Sequence, residues 1–381
     1  MIRLAWPDVD FSQVSGQFAE IINSGQLTSG KYVKEFENKL ARYFGTSFAL
    51  TTTSATTALH LALVVAGVKE EDEVLVADFT HPATGNVVLQ AGAKPVLVDI
   101  DKETFCIDFT DLEKKISSRT KAIIPVHPFG YPVNIPELNE LVAGKGITVI
   151  EDAATAIGAT VYGKKCGSLG EIGCFSFHPR KTLTTGEGGL LTTNNEDLAR
   201  EASILRNHGG VLEGPTHVFT FRKAGFNYRM TELQAALGLA QLKNLKKIIQ
   251  IRREIAQQYF ERLEKFSFLD LPKEPSYGER VFQSFVVVLD EDLKRDLVIE
   301  ELAKKGIETT LGTYALHAQP AYTSLGYKPA DLPNSFLAFK STLSLPIHGH
   351  LTTKDVDYVC KTLKEVVENG AKKRRYSRKQ I

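Results

Sequence analysis

The run Ser176-Phe177-His178-Pro179-Arg180-Lys181-Thr182-Leu183-Thr184-Thr185-Gly186-Glu187-Gly188-Gly189 sets a lysine between an apolar strand and a glycine-rich turn. The strand half reads from Ile172 to Phe177. The turn half holds Gly186, Gly188 and Gly189, which let the backbone pass close to a bound group. Most lysines only solvate a surface. A lysine desolvated beside such a turn has a lowered pKa and becomes a nucleophile toward carbonyl groups. On this stretch alone, both readings of Lys181 stand.

Working outward, Ile147-Thr148-Val149-Ile150 is a strand followed by Glu151 and Asp152. A carboxylate just past a buried strand stands at the carboxyl edge of a parallel sheet, where open α/β folds bind ligands. The competing role for Asp152 is a helix N-cap. Farther upstream, Thr51-Thr52-Thr53-Ser54-Ala55-Thr56-Thr57 joins the strand Phe48-Ala49-Leu50 to a helix beginning near Ala58. Hydroxyls and free N–H groups at a helix start suit a phosphate, and ordinary Ser/Thr capping accounts for them equally. The chain has neither GxxxxGK[ST] nor GxGxxG, so a nucleoside triphosphate or a Rossmann dinucleotide is not the natural anion.

Short strands alternate with helices from about residue 47 to 240: Val74 to Val76, Pro95 to Val98, Ala122 to Val126, then Ile147 to Ile150. That order predicts an α/β fold with a mostly parallel sheet sandwiched by helices. Thr231 to Leu245 reads as a helix with Thr231 and Gln234 as a capping box. After residue 246 the texture changes to a charged helix, Ile248 to Leu263, a strand from Phe282 to Leu289, and helices near 296–305 and 353–368. We therefore expect a large domain over 12–245 and a smaller C-terminal α+β domain over 246–381, with residues 1–11 joining the latter. The basic stretch Lys372 to Lys379 reads as a solvated tail, with nucleic-acid or membrane contact as the sharper alternative.

Composition narrows the classes. With 43% hydrophobic and 24% charged residues the chain has the make-up of a globular protein, so disorder is not expected. A net charge of +1 offers no field for nucleic acid or an anionic membrane. No apolar run reaches the roughly 18 residues that span a bilayer. The opening Met1 to Phe11 has no basic region followed by an apolar run, so no secretory signal is expected and the protein is placed in the cytoplasm. Cys106, Cys166, Cys174 and Cys360 form no CxxC pair, so they are expected as reduced thiols and no metal site is expected.

Taken together and in order, these stretches resemble the DegT/StrS-type nucleotide-sugar aminotransferases, a group of fold-type-I enzymes that depend on pyridoxal 5'-phosphate (PLP). Further matches are Val126-His127-Pro128-Phe129-Gly130, Leu205-Arg206-Asn207-His208-Gly209 and Gly225-Phe226-Asn227-Tyr228-Arg229-Met230. The resemblance implies that Lys181 holds the cofactor and shuttles protons, and that Asp152 pairs with the pyridine nitrogen. It implies phosphate contacts from Ser176, Thr56 and the backbone at Ala55, where the family usually has glycine. It implies that Asn227 reaches the phosphate of a neighbouring subunit's cofactor, so that the active unit is a homodimer. His81 falls where the family stacks an aromatic on the cofactor ring, unless it is a structural histidine. Thr155 replaces the family's usual Gln or His near the cofactor hydroxyl. Glu187 and His317 fall near the sugar pocket; the alternatives are structural use of Glu187 in the glycine turn and a loop histidine without such a role at 317.

The implied activity is transamination. An amino acid, L-glutamate, gives its amino group to the cofactor, leaving pyridoxamine phosphate, and a nucleotide-linked keto-sugar then takes it. Lysine at position 181 argues against the family's dehydratase branch, which carries histidine there. Two rivals differ in class: a PLP-binding sensor without turnover, and a nucleic-acid-binding protein using the basic tail. A helix-turn-helix or an aromatic-basic platform would mark the second, and neither is recognisable.

Overall fold

The computed structural model describes residues 1–213 and 218–378, with side chains described through residue 369. Seven strands form the central sheet: β1 (Phe48–Thr52), β2 (Glu73–Ala77), β3 (Lys94–Val98), β4 (Thr120–Ile124), β5 (Thr148–Asp152), β6 (Ile172–Ser176) and β7 (Gly189–Thr193). Their order is β1-β7-β6-β5-β4-β2-β3. Each pairing from β6 to β3 is parallel, while β7 runs antiparallel to both β6 and β1. The apolar runs that read as strands are buried on both faces, as a parallel sheet under helices requires.

Five helices matter most for the site: α1 (Lys31–Phe44), α2 (Ala55–Val65), α3 (Pro82–Gln90), α4 (Glu232–Leu263) and α5 (Thr353–Arg378). In α2 every residue from Ala58 to Leu63 is buried, which explains its unbroken apolar character. Thr231 caps α4, with the capping box to Gln234 formed as expected.

One expectation needs correction. The two helices read at 231–245 and 248–263 are one helix of 32 residues, so the change of texture near 246 falls inside α4. The helix continues because the charged residues beyond 246 are not all solvent-facing. Arg252 is buried, and its Nη1 donates to the carbonyls of Phe282, Gln283 and Ile347 at 3.2–3.3 Å. Through α4 the chain passes from the packing around the central sheet to a separate apolar cluster that includes Tyr259, Phe285, Leu343 and Leu363.

That second cluster lies on a four-stranded antiparallel sheet: β8 (Leu269–Asp270), β9 (Phe285–Leu289), β10 (Thr310–Leu311) and β11 (Thr342–Leu345), in the order β8-β9-β11-β10. The strand expected from Phe282 begins at Phe285. The first residues of the chain join this region, with Ile2 bridging Ile307 and Ile347 N donating to Leu4 O. The side chains of the basic stretch from Lys372 lie outside the described residues.

Candidate active site

The parallel pairing of β5 and β6 brings Asp152 and Ser176 to one edge of the sheet, since each closes its strand. β7 returns antiparallel, and its first residue, Gly189, pairs with Ser176 on one side and with Thr52 on the other. The connection from β6 to β7 is the lysine-bearing stretch, so Lys181 must lie at this edge. Its backbone is folded tightly: Phe177 N donates to Gly188 O at 2.8 Å, and Lys181 N to His178 O at 2.8 Å.

Gly189 is required where it stands. A Cβ there would lie 2.2 Å from Ser54 O, so the turn before α2 could not approach β7. That turn is capped by Ser54, whose Oγ accepts from Thr57 N at 3.2 Å while Thr57 Oγ1 accepts from Ser54 N. Ordinary capping is therefore present. As first-turn residues of α2, Ala55 and Thr56 keep N–H groups that no residue of the helix can accept from, as suits an incoming phosphate. The end of β1 is braced from behind, with Arg206 Nη1 donating to Thr51 O at 2.8 Å and to Glu37 Oε1 at 2.5 Å.

Glu151 and Asp152 are neighbours in sequence but serve different structures. Glu151 is sealed from solvent and accepts from the backbone N–H groups of Gly167, Leu169 and Gly170 and from His127 Nε2. Asp152 is also buried, with fewer partners: Oδ1 accepts from Ala154 N at 3.1 Å and Oδ2 from Thr84 Oγ1 at 2.8 Å. No helix follows it, since the chain turns at Ala154 and Thr155, so an N-cap role is ruled out. Thr84 lies in the first turn of α3 and is itself bonded to Thr80 Oγ1 at 3.0 Å. Because the single hydroxyl proton of Thr84 goes to Asp152, Thr80 is the donor to Thr84.

Lys181 keeps partial exposure as a residue, yet its amine is embedded in protein. Burial pushes that amine down to about 8, although the Asp152 carboxylate pulls the other way. His81 is the N-cap of α3, its Nδ1 accepting from Ala83 N at 3.2 Å. As a residue it is exposed, although protein crowds its ring enough to desolvate it. That desolvation, with Lys181 second, holds its pKa below the usual imidazole range. His81 is thus a neutral ring within electrostatic reach of Lys181, Asp152 and His178.

The remaining expected residues scatter more widely. Thr155 spends its hydroxyl on His127 O at 2.6 Å, so it braces the backbone beside Asp152. Glu187 is exposed on the turn after Lys181, with its carboxylate 3.9 Å from His178 Nε2. Asn227 is exposed, and its backbone bridges that of Asn207. His317 lies inside the protein. Its backbone N–H donates to Asp78 Oδ1 at 2.8 Å, its Nδ1 lies 2.6 Å from Asp78 Oδ2, and its Nε2 is buried without a partner. It clasps the segment around β-paired Tyr314 and Ala315 against Phe79 and Thr80, next to His81.

Two contributors were missed from sequence. Thr84 reaches Asp152 across 68 residues, and Gln283 reaches the lysine loop across 101. A threonine in the first turn after His81-Pro82 is a weak signal, and Gln283 carries none.

The edge thus offers a desolvated amine, a buried carboxylate aligned by two donors, a neutral ring and a helix N-terminus open to an anion. These are the groups needed to hold a phosphorylated pyridine aldehyde by its aldehyde, nitrogen, ring face and phosphate. Among the described residues, no group of three or more His, Cys, Asp or Glu side chains is arranged to hold a metal.

A chain with a lysine and an aspartate so placed on this sheet has the architecture of the fold-type-I PLP enzymes. The profile of the DegT/DnrJ/EryC1/StrS aminotransferase family matches residues 12–364. GDP-perosamine synthase of Caulobacter vibrioides is 41% identical over 341 residues, covering 89% of this chain and 91% of that one. Spr1654 of Streptococcus pneumoniae, solved in its PMP form, superposes with a TM-score of 0.92 at 30% identity, over 97% of this chain and 100% of that one. Helicobacter pylori PseC, an aminotransferase involved in the biosynthesis of pseudoaminic acid, gives a TM-score of 0.90 at 28% identity, over 97% and 99%. The chain belongs to the DegT/DnrJ/EryC1/StrS aminotransferase family. The expected fold class, aminotransferase activity and PLP cofactor stand with that membership.

Proposed function

We propose that this aminotransferase moves an amino group from L-glutamate to a nucleotide-linked keto-sugar. The observation that carries the reading is the pairing of a desolvated Lys181 amine with the buried, hydrogen-bonded Asp152 at one sheet edge. The 41% identity to a GDP-perosamine synthase supports a sugar nucleotide as acceptor.

Lys181 holds the cofactor and then, as a free amine, moves a proton to or from the substrate carbon. Asp152 keeps the pyridine nitrogen protonated, and Thr84 and Ala154 keep Asp152 aimed. His81 would lie against the ring. Ala55, Thr56 and Ser176 hold the phosphate. PLP, when bound, supplies the electron sink that the side chains lack. Glu187 stands at the sugar pocket, and His317 supports that pocket from behind through Asp78. We assign residues 12–245 to a large cofactor-binding domain and 246–381, with 1–11, to a small one.

The active unit is a homodimer in which Asn227 of each subunit completes the other's phosphate site. Exposed Asn227 supports this, as do the apolar arms Gly210–Glu213 and Val218–Phe221, where Leu212, Val218 and Phe221 are more than half exposed. No described helix is long and apolar enough to cross a membrane. All four cysteines are free and buried, which supports a reducing compartment such as the cytoplasm.

The test is an absorption spectrum before and after L-glutamate, with Lys181→Ala beside it. The reading expects a band near about 420 nm that moves to about 330 nm with glutamate and is missing from the variant. A panel of keto-sugar nucleotides should then restore the first band, with an aminated sugar found by mass spectrometry. Absence of the band after adding PLP would overturn the reading. A band indifferent to every amino donor would point instead to a sensor.

A further inference from the structure

Gln283 lies far from Lys181 in sequence and just before β9, yet its side chain spans the lysine. Its Oε1 accepts from Thr182 N at 2.8 Å and from Thr182 Oγ1 at 2.9 Å. Its Nε2 donates to Arg180 O at 2.6 Å. The residues on both sides of Lys181 are therefore tied to one buried amide, which uses donor and acceptor together.

The amide is itself anchored. Arg252, buried on α4, donates to the carbonyls of Phe282 and Gln283 and of Ile347. It makes no ion pair among the described residues, so a buried cation is held by carbonyl oxygens and fixes the chain that bears Gln283. Such a charge is costly to bury.

We infer that Gln283, braced by Arg252, is the positioning residue that sets the height and direction of Lys181 at the sheet edge. A lysine on a loop must return its amine to the same point in each half-reaction, and displacement by about 1 Å costs about 100-fold. The loop's own bonds, Phe177 to Gly188 and Lys181 to His178, close it on itself. Gln283 ties it to a separate part of the protein. This inference rests on the aminotransferase reading.

The experiment uses Gln283→Met, which keeps length and apolar volume and removes all three bonds. The first readout is the PLP-loaded half-reaction with L-glutamate, where kcat should fall about 10- to 100-fold. KM should stay within about threefold, because Gln283 does not touch the amino acid. The second readout needs neither cofactor nor turnover: the pH dependence of acylation of Lys181, followed by mass spectrometry in the cofactor-free protein. With the loop loosened, water reaches the amine and the midpoint should rise toward the usual lysine range. Thr182→Val, which removes one bond, should show the same split at about 3- to 10-fold and decides the matter if Gln283→Met does not fold. Wild-type kcat and midpoint in the folded variants overturn the inference. A wild-type protein that takes up no PLP overturns the functional reading, and the acylation midpoint still decides whether Gln283 holds the lysine.

Discussion

His127 and Glu151 form a buried pair, with Nε2 2.9 Å from Oε2 and both side chains closed to solvent. The carboxylate favours a protonated ring, but Nδ1 accepts from Val133 N at 2.9 Å and so carries no proton. The ring is the neutral tautomer, with its one proton on Nε2 and directed at Glu151. The pair ties the β4–β5 edge to the 167–170 turn directly behind Asp152. Glu151→Ala leaves His127 and three backbone N–H groups without an acceptor. Each buried donor left without an acceptor costs about 1–3 kcal/mol, so equilibrium urea unfolding should show a loss of about 3 kcal/mol or more. Gln offers one oxygen where the carboxylate offers two, so Glu151→Gln should fall between. A loss under about 1 kcal/mol for the alanine variant would mean the pair organises nothing.

Thr84 is expected to tune Asp152. Its hydroxyl donates to the carboxylate, and a hydrogen bond to a charged group is worth about 1.5–3 kcal/mol. Thr84→Val keeps the shape and removes the donor, so PLP affinity should weaken by about 10-fold or more, read by equilibrium dialysis. Thr84→Ser keeps the donor and should bind nearly as the wild type does. Equal affinity in the valine variant would show that Asp152 is aligned without it.

Lys181 links the site to stability. Its folded value of about 8 lies below that of an unfolded lysine, about 10.4. Below pH 8 both states carry the proton, and the folded state bears the full cost of a buried ammonium. Between the two values only the unfolded chain holds the proton, so stability rises with pH there. Cofactor-free Lys181→Met should therefore be more stable than wild type below pH 8, by on the order of 2 kcal/mol. The gap should close as pH approaches about 10. Paired denaturation curves at pH 7 and 9.5 decide this: a gap that is constant or widens with pH contradicts a desolvated amine.

The fold was legible where strands end in chemistry. Asp152 and Lys181 could be read because each follows an apolar run, and a parallel sheet brings such ends to one edge. The groups that aim them could not. Thr84 and Gln283 look like any threonine or glutamine until the chain folds over their partners. His317 read as a candidate at the sugar pocket, and its clasp on Asp78 was hidden because the two are 239 residues apart. The continuity of α4 was hidden by Arg252, a charge that reads as surface and lies among carbonyls. Local pattern reports which residues end an element, and long-range hydrogen bonds decide which of them work together.

The shared site predicts complementation. If Asn227 serves the neighbouring subunit's cofactor and Lys181 serves its own, then Lys181→Ala and Asn227→Ala homodimers each have two damaged sites. A mixed dimer puts both defects in one site and leaves the other intact. Unfolding the two inactive variants together and refolding them at equal amounts gives about half mixed dimers, so about a quarter of wild-type activity should return. The variants refolded separately and then combined should stay near their own levels until subunits exchange. Gel filtration of each variant checks that dimers form. Dimers without recovery would place Asn227 at its own subunit's site or outside the site altogether, and monomers with full activity would remove the shared-site reading.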